Sequence, residues 1–313
     1  AERGQAEAHG TRATARIVKL IGDHALVLDR TPFYAESGGQ VGDCGFVAGP
    51  GFRFRVTDTR RMGDVVVHLG TLDEGSAAAL PDAVSAAVDG TRRQDTARNH
   101  SATHLLHWAL KQVLGGHTNQ QGSLVTPEAL RFDFTHPRAV TDGELLEIER
   151  RVNERIAENA AFDIREQTLA EAKAAGVTAL FGEKYGDVVR VVRIGDFSAE
   201  LCGGTHCARA GDIGMFRIVS EGSVQAGVRR IVAMTGAAAV RHTQHERTLL
   251  HQAARALGAP PDEVPSRLEA LQAQVRDLRK RGAAAPTDIK ARRQALLADA
   301  ETVGGVALVL ARV

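Results

Sequence analysis

The sequence predicts an α+β protein: a small β-barrel, then helices laid on a mostly antiparallel sheet, then a C-terminal helical hairpin. Short apolar runs separated by turn signals occupy residues 12–70. From Thr91 apolar residues recur at helical spacing, and after Gly236 the chain is alanine-rich with a short heptad pattern. A chain of 313 residues is long enough for two or three domains. The predicted divisions are 1–90 for the barrel, 91–238 for the mixed region, 239–302 for a helical or coiled-coil linker, and 303–313 for the start of a truncated further domain.

The first region carries the signals of β-structure. Residues 15–34 offer two short strands around the turn signal Gly22-Asp23. Residues 51–70 offer two more, the first of which has apolar side chains at alternate positions, namely Phe52, Phe54 and Val56. Short strands at this spacing are typical of a small barrel or sandwich. A glycine-rich loop, ESGGQVGDCG, lies between the two pairs.

The middle region alternates helices and strands. Thr91 and Gln94 can form a capping box, so a helix is predicted to begin there and to end at Gly115-Gly116. Its buried stripe is predicted to contain Leu106, Leu110, Val113 and Leu114. Two strands are predicted around Pro127, and an amphipathic helix at 142–160. Three further strand candidates occupy residues 186–195, 214–222 and 227–236.

The last part of the chain is predicted to be helical. Pro260-Pro261 interrupts it, and a turn at 282–286 would reverse the chain into a second helix at 288–301. A short heptad seam consists of Leu268, Leu271, Val275 and Leu278. Both a coiled coil and an ordinary packed helix pair fit this pattern. Residues 304–313 are predicted to begin a buried strand that has no partner in the chain.

Composition excludes several classes of protein. Lys and Arg total 39 against 38 Asp and Glu, so a nucleic-acid partner would be held by local patches rather than by net charge. Three cysteines do not make a disulfide framework and fit a reducing, cytoplasmic location. The sequence has no apolar run long enough to predict a membrane span. The polar start, AERGQAEAHG, does not resemble a signal peptide and suggests a piece of a larger protein.

Two segments predict a metal site. In RNHSATHLLHW, His100, His104 and His107 share one helix face, which alone is compatible with a metal site, with core packing or with a solvated face. About a hundred residues later, Cys202 and His206 stand four apart around two glycines. Imidazole and thiolate donors from two elements form a natural zinc set, so His100, His104, Cys202 and His206 are predicted to bind Zn²⁺. His107 is predicted to pack or to support a ligand.

The order of motifs carries a family resemblance. RNHSATHLLH, QGSLV, RFDF, FGEKYGD and ELCGGTH, preceded by PFYAESGGQVGDCG, resemble the editing region of alanyl-tRNA synthetases and the free-standing alanyl-tRNA editing proteins. The resemblance covers approximately residues 12–235 and makes region 91–238 a zinc-containing editing domain. It implies hydrolysis of serine or glycine wrongly esterified to the 3′ end of tRNA-Ala. The implied enzyme is an aminoacyl-tRNA deacylase within an alanine–tRNA ligase whose ligase active site lies outside this chain.

The resemblance also implies roles for residues of the site. The four predicted ligands match the family's zinc set, where the metal would position the substrate, polarise a water or be structural. Gln120 matches a pocket residue that would sense the serine hydroxyl, although a surface amide is the simpler interpretation from sequence. Glu200 would orient a water or the ribose, or support a ligand. Lys184 would face a phosphate or the carbonyl oxygen, or lie exposed in a turn.

Alternative functions remain open at this stage. The segment could be a tRNA-binding module with a structural zinc, inactive without further domains, or a free-standing trans-editing protein. A zinc peptidase is disfavoured because residue 101 is Ser where the H-E-x-x-H motif needs Glu. A homodimer through the C-terminal helices or through a domain outside the chain is a further expectation. Arginines expected to contact the acceptor end of tRNA-Ala are Arg60, Arg61, Arg92, Arg93, Arg98, Arg229 and Arg230.

Overall fold

The computed structural model describes residues 10–178, 186–284, 289–298 and 300–308. The chain divides into two units, Ala1–Thr243 and Gln244–Val313. The first unit contains both strands and helices, which confirms the predicted α+β class. Among the described residues, no helix combines the length and the apolar character that a membrane span requires.

The first sheet is a curled, antiparallel half-barrel of seven strands in the order β1-β7-β4-β5-β6-β3-β2. The strands β1 and β2 form its two edges although a single residue, Arg16, separates them in sequence. The sheet must therefore curl until its edges approach each other, which accounts for the barrel-like sequence pattern. The seven strands are β1 Arg12–Ala15, β2 Ile17–Ile21, β3 Ala25–Leu28, β4 Gly45–Gly49, β5 Phe52–Met62, β6 Val65–Glu74 and β7 Val84–Val88.

The core of this sheet follows from the alternation predicted along β5. Phe52, Phe54 and Val56 are buried, while Arg53 and Arg55 between them are exposed. Each fully buried side chain of this size stabilises the fold by about 1.5–3 kcal/mol relative to an exposed one. The alternation therefore fixes which face of the curled sheet is closed around the core.

The rest of the first unit contains two antiparallel sheets and the helices packed against them. Four strands run in the order β13-β14-β9-β8, and three run in the order β10-β11-β12. The helices α1 and α2 share one apolar core with the four-stranded sheet. These elements are α1 Gly90–Leu114, β8 Gln120–Val125, β9 Leu130–Thr135, α2 Asp142–Glu158, β10 Phe162–Thr168, α3 Leu169–Ala174, β11 Val188–Ile194, β12 Ser198–Leu201, β13 Phe216–Gln225 and β14 Val228–Thr235.

The start of α1 corrects the sequence prediction. Its N-cap is Asp89, whose carboxylate accepts a hydrogen bond from the Arg92 backbone N–H, so the predicted capping box at Thr91 and Gln94 does not begin the helix. The predicted end at Gly115 is confirmed. In the predicted stripe Leu106 and Leu110 are fully buried, whereas Val113 and Leu114 are only partly buried.

The C-terminal unit is mostly helical. Helix α4, Gly236–Leu257, contains the boundary between the units; the predicted break at Pro260-Pro261 is confirmed by a short 3₁₀ turn before α5, Val264–Ala284. The four residues of the heptad seam are exposed. The turn was predicted at 282–286, but α5 continues through residues 282–284 of it. Residues 285–288 lie outside the described residues, and α6 follows at Ile289–Ala298.

The prediction of a buried, unpaired strand after residue 303 was wrong. The strand β16, Val306–Leu308, pairs antiparallel with β15, Glu301–Val303, and Val306 is 65% exposed. Gly304 and Gly305 form the connecting turn, and both have positive φ angles that favour glycine in a two-residue hairpin.

A neutral histidine is built into the core of the half-barrel. His68 of β6 is fully buried, with Nδ1 lying 3.0 Å from the Leu26 carbonyl oxygen and Nε2 lying 2.7 Å from Thr31 Oγ1. Because the carbonyl can only accept, Nδ1–H donates to it and Nε2 accepts from the threonine hydroxyl. Burial lowers the pKa of His68 to about 4.

The His68 site predicts an acid-sensitive fold. Between pH 6.5 and pH 4 the unfolded chain binds a proton at His68 that the folded chain does not, so stability falls as pH falls through this window. At pH 5 the loss from His68 is about 2 kcal/mol. We expect the free energy of unfolding, measured by urea denaturation at pH 7.5 and pH 5, to fall by that much less in His68→Gln than in wild type. Exposed His24→Gln is the control, and equal losses in all three proteins would contradict the prediction.

Candidate metal centre and adjoining cavity

Four donor side chains meet at one point of the first unit. His100 and His104 stand one turn apart on α1, and Cys202 and His206 lie on the loop after β12. Their donor atoms all lie within 4.8 Å of one another. Cys202 Sγ lies 3.3 Å from His100 Nε2 and 3.3 Å from His206 Nε2. The structure therefore brings together all four predicted metal ligands.

The loop from Cys202 to His206 is held in a tight shape. A Cβ on Gly204 would overlap the ring of His100, so glycine is required for this close approach. The guanidinium of Arg190 on β11 donates to the carbonyl oxygens of Cys202, at 2.9 Å, and Gly204, at 2.7 Å. These bonds tie the backbone of the loop to the three-stranded sheet.

The donor set fits a bound metal ion. His104 Nε2 is buried and has no hydrogen-bond partner among the described residues, although it faces the centre of the cluster. An unsatisfied buried polar atom costs about 1–3 kcal/mol, which metal ligation would offset. Three imidazole nitrogens and one sulfur are borderline-soft ligands suited to a divalent transition metal.

Protonation of the cysteines distinguishes their roles. Burial would raise the pKa of Cys202, but the neighbouring His100 and His206 lower it well below the usual value, which favours the thiolate form needed by a ligand. Burial raises the pKa of Cys207 to about 11. Cys207 belongs to the apolar core, and its backbone N–H donates to Ser101 Oγ. Cys202 is therefore the cysteine of the cluster.

Glu200 supports the second histidine of the cluster. Its buried carboxylate accepts from Nδ1 of His104, at 2.6 Å, and from Nδ1 of His107, at 2.8 Å. Burial alone would raise the pKa of Glu200, but the charge of His104 lowers it to about 2. Burial would lower the pKa of His104, but the charge of Glu200 raises it to about 10. His107 thus bonds to Glu200, the residue that supports His104, and is not one of the four donors of the cluster.

Gln40 supports the first histidine, and sequence reasoning missed it. It lies in the glycine-rich loop between β3 and β4, and its Oε1 lies 2.6 Å from His100 Nδ1. The SGGQ motif drew attention to this loop, but local sequence carries no sign of which side chain reaches the cluster.

A cavity of about 270 Å³ adjoins the cluster. Gln120, at the start of β8, lines it, and so does Glu200. Lys184, the third predicted catalytic residue, lies outside the described residues. Lining residues that the sequence did not single out include Tyr34, Gly38, Thr103, Ser123 and Arg190. The cavity thus lies between the glycine-rich loop, α1, β8, β11 and β12.

Most of the arginines predicted to contact nucleic acid are engaged within the protein. Arg93 forms a buried ion pair with Asp43, and Arg230 donates both Nε and Nη2 to Asp133. The others in ion pairs are Arg60, Arg92, Arg98 and Arg229. Phosphate binding by these side chains stays a prediction. Each paired guanidinium would have to bind a phosphate while it is also bonded to its carboxylate.

Comparison with protein families gives two matches on this chain. Residues 189–232, which include Cys202 and His206, match the second additional domain of threonyl and alanyl tRNA synthetases. Residues 8–92, which include the half-barrel, match the class II (A) tRNA synthetases. The two matched segments therefore contribute the loop with Cys202 and His206 and the glycine-rich loop next to it.

Alanine–tRNA ligases match nearly the whole chain. The protein of Acidithiobacillus ferridurans is 51% identical over 92% of this chain and 33% of its own length. That of Acetivibrio thermocellus is 46% identical over 96% of this chain and 36% of its own length. The chain spans about a third of the length of these relatives. The resemblance to alanyl-tRNA synthetases predicted from the motifs is thereby confirmed.

The donor cluster predicts that one cysteine, and not its neighbour, controls metal binding. We expect purified protein to bind about one equivalent of metal per chain, and Cys202→Ala to weaken binding by at least about 100-fold because a thiolate ligand is lost. Cys207→Ala is the matched control and should bind like wild type. The measurement is metal content after dialysis, followed by titration of the apo-protein against a chromogenic chelator. Equal loss in both variants would contradict the assignment.

Proposed function

We propose that this chain, homologous to a region of alanyl-tRNA synthetases, hydrolyses the ester of serine or glycine wrongly attached to tRNA-Ala, with Zn²⁺ at the donor cluster. One observation carries the proposal: three of the four clustered donors, His100, His104 and Cys202, line a cavity that Gln120 also lines. Such a cavity, about 270 Å³, has room for a small aminoacyl group next to the metal ligands.

The need for such an activity follows from the size of the amino acids. A pocket built for alanine cannot strongly reject glycine, which is smaller, or serine, which adds only a hydroxyl. Discrimination of such differences is limited to about 1–3 kcal/mol, so a second, hydrolytic site is needed for accuracy. A site that removes serine and spares alanine must recognise the hydroxyl by a polar side chain.

The chain's own residues divide the work of the site. A bound Zn²⁺ would supply a fixed positive charge and Lewis acidity beside the cavity. Glu200, ionised and bonded to Nδ1 of His104, keeps that imidazole in one orientation, so that Nε2 would become the ligand atom once a metal ion displaced its proton. Gln120 would offer its amide to the serine hydroxyl. Lys184 would face the ester carbonyl or a phosphate of the tRNA.

A second function is favoured by a different feature of the same cluster. Four protein donors complete a tetrahedron, and closed tetrahedral zinc sites are usually structural. The segment would then bind tRNA-Ala and deliver it, while the chemistry would need other parts of the ligase. A free-standing trans-editing protein is less favoured, since relatives named alanine–tRNA ligase align over 92–96% of the chain. A cytoplasmic location and a homodimer, through the C-terminal helices or through a domain outside the chain, are further parts of the proposal.

Turnover separates the two functions. We expect the chain to release serine from Ser-tRNA-Ala well above the uncatalysed rate and to leave Ala-tRNA-Ala intact. Cys202→Ala should lower the rate by at least about 100-fold, because the metal ligand set is broken. Cys207→Ala, which changes the other cysteine of this segment, is the control for folding. Absence of hydrolysis by folded, zinc-loaded protein would favour the tRNA-binding function instead.

The proposed role of Gln120 predicts that its substitution changes the preference between the serine and glycine esters. In Gln120→Met the amide is lost while the side-chain length is kept, so hydrolysis of Ser-tRNA-Ala should fall about three- to tenfold more than hydrolysis of Gly-tRNA-Ala, which has no hydroxyl. The exposed neighbour Gln121→Met is the control. The two substrates are compared by kcat/KM, and equal losses for both would exclude hydroxyl recognition by Gln120.

A further inference from the structure

We propose that Gln40 is a positioning residue of the metal centre, through which the glycine-rich loop of the half-barrel orients His100 and the loop from Cys202 to His206. The inference rests on the proposed metal centre and goes beyond it, because it assigns part of the centre to the first sheet. Gln40 is fully buried although it belongs to a polar residue type that is usually exposed.

One amide oxygen joins both segments that carry the donors. Gln40 Oε1 lies 2.6 Å from His100 Nδ1, 2.9 Å from the Thr205 backbone nitrogen and 3.2 Å from Thr205 Oγ1. His100 belongs to α1, and Thr205 lies between Cys202 and His206. The side chain therefore bridges the helix that supplies two donors and the loop that supplies the other two.

The bonding pattern fixes the tautomer of His100. The backbone N–H of Thr205 can only donate, so the Gln40 atom facing it must be the oxygen. An oxygen facing His100 Nδ1 requires that nitrogen to carry the proton. In the neutral imidazole that a metal ligand requires, His100 Nε2, which points to Cys202 Sγ at 3.3 Å, is then the nitrogen with the free lone pair. A neutral, correctly turned imidazole is the state a metal ligand needs.

The backbone of Gln40 is anchored to the region that forms the cavity. Gln40 exchanges backbone hydrogen bonds with Ser37, and Val125 at the end of β8 donates to Gly39 O at 2.7 Å. A Cβ on Gly39 would overlap Ser123, and its φ of +80° favours glycine, so this close approach requires that residue. The loop is thus fixed against β8 before its glutamine reaches the cluster.

The far end of the same loop is fixed against α1. Asp43 accepts from Arg93 Nε at 2.9 Å and from the backbone N–H of Tyr34 at 2.6 Å. Both Asp43 and Arg93 are largely buried, so removing either partner would leave an uncompensated charge. The helix that carries His100 therefore also holds the loop that carries Gln40, which keeps their separation constant.

The two histidines of α1 have supports of different charge. His104 has the ionised carboxylate of Glu200, whereas His100 has a neutral amide. With one thiolate and one carboxylate, a divalent ion at the cluster would be balanced to zero net charge. Gln40 thus supplies orientation without adding charge, and this distinction sets the expected effects of substitution.

The test compares substitutions that keep or remove the acceptor oxygen. Gln40→Met keeps the length and removes the oxygen, and we expect Zn²⁺ affinity to fall about 10- to 100-fold. Gln40→Glu keeps an acceptor and should bind Zn²⁺ within about threefold of wild type or more tightly, because it adds a negative charge near the cation. Gln121→Met is the control and should be unchanged. Affinity is measured on the whole chain by chelator competition, and the Co²⁺ absorption spectrum reports ligand geometry.

The outcomes separate this inference from the proposed function. If Gln40→Met binds Zn²⁺ with the affinity of wild type and gives the same Co²⁺ spectrum, the proposed role of Gln40 is overturned. The proposed metal centre is unaffected by that result. Absence of Zn²⁺ and Co²⁺ binding by folded wild-type protein would overturn the metal centre and this inference together. If Gln40→Met fails to fold, Gln40→Glu decides: a purely structural amide predicts weakened binding there too, whereas a positioning acceptor predicts that binding is kept.

Discussion

The convergence of two distant segments on one point is the constraint on which the remaining site depends. His100 and His104 are about a hundred residues away from Cys202 and His206, yet their donor atoms lie within 4.8 Å of one another. The helix α1 makes this possible because its middle is buried among α2 and the four-stranded sheet, so its register is fixed by packing. The loop must then fit against a rigid helix, which explains the need for Gly204 and for the bonds from Arg190.

Electrostatics around the cluster follow from what supports each ligand. Glu200 is buried and ionised, and it is bonded to two imidazoles, so desolvation of its charge is compensated locally. Gln40 makes the corresponding hydrogen bond to His100 with a neutral amide. A cluster built in this way favours a divalent cation over a monovalent one, since the nearby negative charges number two. The cavity beside the cluster is therefore lined by donor residues and by Glu200 on one side, and by strand residues such as Gln120 on the other.

Local patterns in the sequence predicted the features that depend on local spacing. The alternation along β5, the end of α1 at Gly115 and the pairing of two i, i+4 donor motifs were all visible as short-range signals. Features that depend on tertiary contacts were not visible in the local sequence. Asp89 and Thr91 both satisfy the local rule for a helix start, and the chain uses the first. No local signal distinguishes a closed barrel from a half-barrel whose edges are β1 and β2, and none identifies Gln40 as the residue that reaches His100.

The bridging position of the glycine-rich loop bears on whether the chain can be divided between the half-barrel and α1. A segment beginning at α1 would retain all four donors, but His100 Nδ1 and the backbone of Thr205 would lose their common acceptor. Asp43, which compensates the buried charge of Arg93, would be lost with it. The half-barrel and the donor cluster therefore depend on each other across the boundary between β7 and α1, although the chain there leaves one sheet and enters a helix.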